Sequence, residues 1–133
     1  MVIFPVDEDL RFWVLNLDER LKPFLPAIDD SWYQDMISCF QIAAMRPDCK
    51  ESVCRAGSVI FHKIIKNHYL VDGNKRSAVL CTYLIFSVNV LPLALTPDEL
   101  YESARQVAQS KEAPDKLIAA LTDYFEKSCR AKP

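Results

Sequence analysis

The chain is poor in glycine, with Gly57 and Gly73 alone in 133 residues. No hairpin of the Asn-Gly type sits between alternating runs, so a sheet built from tight turns is excluded. Charge of one sign is also lacking. Sixteen Lys and Arg face eighteen Asp and Glu, leaving a formal charge of -2. No basic or acidic field marks a nucleic-acid or membrane partner. The five cysteines (39, 49, 54, 81 and 129) form no CxxC pair and no metal spacing with histidine. They read as ordinary reduced thiols, including Cys49 and Cys54, and point to a cytoplasmic protein. The apolar start of the chain meets Asp7, Glu8 and Asp9 before a signal-peptide core can form, which argues against secretion. The P-loop spacing, GxGxxG and GxSxG are absent, and His62 and His68 are not arranged as HExxH. The longest uncharged stretch, Ser77 to Pro97, is interrupted by Thr82, Ser87, Asn89 and Pro92. It reads as the buried centre of a domain rather than a membrane span.

What is present is helical periodicity. Half the residues are apolar and about a quarter are charged, values of a folded globular chain of one domain, 1–133. Leu10, Trp13, Val14, Leu17 and Leu21 follow an acidic start and predict a first helix ending by Pro23. The capping cluster Asp29-Asp30-Ser31 opens a second, with Tyr33, Met36, Ile37, Phe40 and Ala44 on one face and Pro47 as its stop. Val53, Ala56, Ile60 and Ile64 mark a third, running to about Asn67, in which Gly57 offers a place of close helix approach. A loop at 68–73 leads to a central apolar helix, Ala78 to Val90. Thr96-Pro97-Asp98-Glu99 is a capping box opening a fifth helix, with Leu100, Ala104, Val107 and Ala108 inward. Pro114 and Asp115 start a sixth, with Leu117, Leu121, Tyr124 or Phe125, and Ser128 at helical intervals. The expected fold is therefore all-α, a compact bundle of about six helices, with one short hairpin allowed near 46–55.

The residues that carry chemistry gather between the third and fourth helices, in Asn67-His68-Tyr69-Leu70-Val71-Asp72-Gly73-Asn74-Lys75-Arg76-Ser77. Gly-Asn-Lys-Arg at the opening of a buried helix supplies backbone N–H groups and the positive end of the helix dipole, an anion site suited to phosphate. Lys75 and Arg76 add charge to it, and Asn74 adds donors. Two cations at a helix N-terminus oppose the dipole, a misplacement that a bound anion resolves. Asp72 at the rim is the candidate Mg2+ ligand, because Mg2+ commonly takes one carboxylate together with phosphate oxygens. His68 is the candidate general base near neutral pH. Together they fit transfer of a phosphate-containing group, a reaction that rests on positioning and charge neutralisation. Taken singly, His68 reads as a helix cap, Asp72 and Asn74 as turn residues, and Lys75 and Arg76 as a solvated first turn. His62, among Phe61, Ile64 and Ile65, reads as structural or surface.

This segment resembles the signature of the Fic/Doc superfamily, His-Pro-Phe-x-[Asp/Glu]-[Gly/Ala]-Asn-[Gly/Lys]-Arg, with His68, Asp72, Gly73, Asn74, Lys75 and Arg76 matching in order. The helix before it, the buried helix after it and the size of the chain are similar to the death-on-curing branch. The resemblance implies that His68 deprotonates a target hydroxyl, Asp72 holds Mg2+ and the turn from Gly73 to Arg76 grips the phosphates of ATP. Lys75, where adenylylating members carry Gly, points to the branch that resembles a protein kinase toxin acting on a translation factor. A long cation there favours a flipped nucleotide pose presenting the terminal phosphate. Tyr69 and Leu70 stand in place of the signature's Pro and Phe, and Val79 in place of a second Arg. The loss of that Arg disfavours AMP transfer. The superfamily's self-inhibiting helix is matched by Thr122 to Lys127 only up to Glu126, so the resemblance implies inhibition by a separate antitoxin that folds as it docks.

Two other readings compete with a transferase. A binding module could keep the anion site for partner or nucleotide recognition without chemistry, as the departure at Tyr69 suggests. Nucleic-acid binding through Lys63, Lys66, Lys75 and Arg76 is disfavoured by the acidic overall charge and the absence of an aromatic stacking platform. The expected partners are thus a protein substrate and an antitoxin, with no nucleic acid and no membrane.

Overall fold

A computed structural model describes residues 1–67 and 73–130, and in these the fold is all-α. Six helices follow one another: α1 (Asp7–Leu15), α2 (Asp30–Met45), α3 (Val53–Lys66), α4 (Asn74–Val88), α5 (Pro97–Gln109) and α6 (Pro114–Arg130), with 3-10 turns at Lys22–Phe24 and Pro47–Cys49. No helix among the described residues is long and apolar enough to cross a membrane.

The helix starts follow from local side-chain chemistry. Asp29 accepts a hydrogen bond from the backbone N–H of Trp32 at 2.9 Å, and Ser52 one from Arg55 at 3.1 Å. Thr96 and Glu99 exchange reciprocal bonds of 2.9 and 3.1 Å, the capping box expected there. At α1 the Asp9 carboxylate reaches back to the N–H of Val6.

Helix α1 is shorter than its apolar spacing predicts. Asn16 donates from its side chain to the Phe12 carbonyl at 2.9 Å and closes the helix, and Asp18 then accepts from the Arg20 N–H to start a turn. Leu17 and Leu21 are still buried, but from a loop whose course happens to keep their spacing inward. The hairpin allowed near 46–55 does not form. Pro47 has no N–H to donate to a strand ladder, and the segment folds as a 3-10 turn. Asp48 in that turn binds Arg46 at 3.0 Å and Arg55 at 2.8 Å. In α2 the buried stripe is Trp32, Met36, Cys39, Phe40 and Ala43, rotated from the expected face because Trp32 rather than Tyr33 points inward.

Helix α3 is the hub. It packs against α2, α4, α5 and α6, and Ala56 to Phe61, Ile64 and Ile65 are buried. Gly57 lets α4 come close, since a Cβ there would lie 2.9 Å from the Phe86 ring. Phe125 of α6 meets Phe61 and Phe86 edge-on at 5.9 and 5.8 Å, tying α3, α4 and α6 into one core. The apolar segment after the site opens as α4 at Asn74, a turn before its apolar run, and is buried all round from Ser77 to Thr82.

The ion cluster at the Pro47–Cys49 turn gives a pH prediction. Arg46, and then Arg55, hold the Asp48 carboxyl down to about 2. A lowered folded-state value means that its contribution is fully present above the ordinary carboxylate range and is lost as pH falls from about 4 towards 2. Because the carboxylate is half exposed, solvent screening keeps the amount below about 1 kcal/mol. Asp48→Asn is expected to lower the denaturation midpoint slightly at pH 7 and to converge with wild type near pH 2. An equal gap at both pH values would show that the ion pairs are not the cause.

Candidate anion site at the start of helix α4

Helix α3 closes at Asn67, whose N–H donates to the Lys63 carbonyl at 3.0 Å. The chain is next described at Gly73, the N-cap of α4. His68 and Asp72, the expected base and Mg2+ ligand, lie outside the described residues, as do Tyr69, Leu70 and Val71. The other four expected site residues, Gly73, Asn74, Lys75 and Arg76, are brought together in a single turn.

Gly73 adopts φ 85°, a left-handed conformation that other residues enter at a cost. Space requires glycine as well, because a Cβ at this position would sit 2.7 Å from the Cβ of Pro26. Its carbonyl accepts from the Ser77 N–H at 2.8 Å, closing the first turn of α4. Asn74, Lys75 and Arg76 are all half-buried on that turn. Gly73 has no side chain with which to cap the helix, and the first turn carries no acidic residue. By contrast, α1, α2, α5 and α6 carry acids in their first turns and α3 has its Ser52 cap. The start of α4 thus combines the positive end of a 15-residue helix with two cations.

Two residues that sequence reasoning missed hold this turn in place. Ser77 is fully buried and accepts a hydrogen bond from the Trp32 indole N–H at 2.9 Å, fastening the first turn of α4 to α2. Pro26, also buried, backs Gly73. Neither carried a local signal, because one partner is 45 residues distant and the other is an unremarkable loop proline. Ser77→Ala is expected to strand the indole N–H in the core and to lower stability by about 1–3 kcal/mol. A thermal midpoint equal to that of wild type would contradict this anchoring.

The remaining candidates belong to α3. His62 is half-buried on α3, and its Nε2 has no hydrogen-bond partner among the described residues. Burial pushes its pKa down, and Lys66 and Lys63 add to the shift. Lys66 donates to the Ser110 carbonyl at 2.7 Å, an attachment to the α5–α6 connection that competes with contact to an external phosphate. Among the described residues no group of three His, Cys, Asp or Glu is placed to hold a metal ion. Open grooves run between α5 and α6, over Val107, Leu117 and Leu121, and between α1 and α4, over Phe12, Trp13, Leu84 and Val88. Neither includes the turn from Gly73 to Arg76.

No family model, curated protein or solved structure matches this chain. The case for a function therefore rests on the residues of the turn and on their order in the sequence.

Proposed function

We propose that this protein is an ATP-dependent transferase of Fic/Doc type that modifies a Ser, Thr or Tyr hydroxyl of another protein, with phosphoryl transfer as its reaction. The observation that carries the reading is the start of α4: a left-handed Gly73 wedged against Pro26, followed by Asn74, Lys75 and Arg76 on the first turn of a buried helix. That donor set suits the oxygens of a polyphosphate.

In this reading the backbone and side chains of Gly73 to Arg76 bind and orient the phosphate chain, and Arg76 offers a planar fork where Lys75 offers a compact charge. His68 takes the proton from the attacking hydroxyl as its oxygen bonds to phosphorus and the nucleotide leaves. Mg2+, held by Asp72, would supply neutralisation of the phosphate charge. The proposed setting is cytoplasmic, as the toxin of a toxin-antitoxin pair, with a translation factor as target and a separate antitoxin as inhibitor. These finer points rest on the sequence resemblance alone.

The reading is tested by incubating a cell extract with the protein, Mg2+ and ATP labelled on either the α- or the γ-phosphate. Incorporation of γ-label alone into a protein band is the expected result. Incorporation of α-label would mean AMP transfer and would remove the inference from Lys75. Binding of ATP with no labelled protein would favour the module without chemistry, for which the departure at Tyr69 speaks.

A further inference from the structure

Helices α5 and α6 are joined only by residues 110–113, yet among the described residues α5 packs on α3 and α4, and α6 on α3, with little direct packing between the two. So short a connection makes them antiparallel neighbours, and the space left between them is a trough along both axes. It is open to solvent, with a volume of about 620 Å³. Its lining extends from Glu99 to Ser110 on α5 and from Leu117 to Tyr124 on α6, about three turns of one helix and two of the other. The walls differ in character. Leu117, Leu121 and Tyr124 of α6, with the buried Val107 of α5, are apolar, whereas α5 otherwise presents Glu99, Glu102 and Gln106.

From this trough we infer that the α5–α6 face is a docking site for a basic amphipathic helix of another protein. Charge complementarity selects the occupant, because the lining holds two carboxylates and no cation. One oxygen of Glu99 caps α5 by accepting from the Thr96 N–H at 2.9 Å. Glu102 meets Arg105 only at 3.9 Å, with both side chains more than half exposed, a pairing that solvent screens and a better-placed cation can replace. The length of the trough suits about two to three turns of a guest helix, whose apolar side chains at i, i+3 or i+4, and i+7 enter beside Val107, Leu117 and Leu121. The antiparallel course puts Tyr124 at the same end as Glu99 and Glu102. A Lys or Arg of the guest at that end meets negative charge and an aromatic face together. A second copy of this chain fits poorly. Its exposed Phe12 and Leu15 stand on α1 with Asp7, Glu8 and Asp9, which would bring like charge to the acidic wall. The inference does not rest on the transferase reading, since no residue from Gly73 to Arg76 lines the trough.

The test uses the full-length protein and two synthetic peptides with the same helical leucine pattern, one flanked by lysines and one by glutamates. Each carries a fluorophore and a benzophenone on its leucine face. The lysine peptide is expected to bind and, on irradiation, to label peptides of α5 and α6. Ala120→Arg, which fills the trough from an exposed position, and Tyr124→Ala should each weaken binding about tenfold. Glu102→Lys should weaken it to a similar degree, whereas Glu8→Lys, the same change of net charge placed on α1, should leave it unchanged. Labelling of another face, an equal loss with Glu8→Lys, or equal binding of the two peptides would overturn the inference. So would a dimer in sedimentation that Ala120→Arg abolishes, which would assign the face to a second copy.

Discussion

Replacing His68 with alanine is expected to lower transfer by roughly a hundredfold to ten-thousandfold, the usual contribution of a positioned general base. The fold should be unaffected. His68 follows Asn67, which closes α3 through a backbone bond to Lys63, so the helix ends before the substituted side chain begins. The core contacts of Phe125 with Phe61 and Phe86 are made by α3, α4 and α6. ATP binding should survive as well, because the phosphate-binding groups belong to the turn from Gly73 to Arg76. The expected signature is therefore lost turnover with unchanged helical content and nearly unchanged nucleotide affinity. Turnover within a few-fold of wild type would show that another group takes the proton, or that none needs to be taken.

The second large effect is expected at Gly73. Alanine there must adopt φ 85°, which costs about 1–2 kcal/mol for an L-residue, and it adds a Cβ only 2.7 Å from that of Pro26. The turn and the Pro26 loop must then move apart. Together these costs should destabilise the protein by about 1–3 kcal/mol. A shift of about 1 Å in a binding loop should cost activity on the order of a hundredfold. Two further variants separate the causes. Gly73→Asn, which tolerates the left-handed region better, should relieve the backbone strain but keep the clash. Pro26→Gly in the Gly73→Ala background should relieve the clash but keep the strain, so the pair should be non-additive. Calorimetry and ATP titration on wild type, Gly73→Ala, Gly73→Asn, Pro26→Gly and the double variant give both readouts. Full activity and stability in Gly73→Ala would mean that the turn does not depend on this conformation.

How far the sequence spoke for itself varies with the range of the interactions. The starts of α2, α5 and α6 were legible because Asp29, Thr96 with Glu99, and Pro114 act within one turn of chain. The close approach at Gly57 was legible for a similar reason, an interruption of side-chain bulk in an apolar stripe. The end of α1 was not, because the side chain of Asn16 stops the helix while Leu17 and Leu21 continue to face the core. Apolar spacing could not tell a helix from a loop that buries the same residues. The ion pair that ties the Pro47–Cys49 turn to α3 was not legible either, because Arg55 lies beyond the local break.

At the candidate site the split is similar. The grouping of Gly73, Asn74, Lys75 and Arg76 is local and could be read directly, as could the burial of the helix that follows. The supports of the turn could not, since Trp32 and Pro26 reach it only through tertiary folding. Their contribution is structural: they fix the direction in which the first turn of α4 points, and therefore where its cations can act.

The most direct measurement of the central claim is the intact mass of cellular proteins incubated with Mg2+ and ATP in the presence of wild-type protein or of His68→Ala. The account predicts that a protein gains one phosphate with wild type and gains nothing with the variant. Unchanged masses with a wild-type protein that still binds ATP, or equal gains with both proteins, would contradict it.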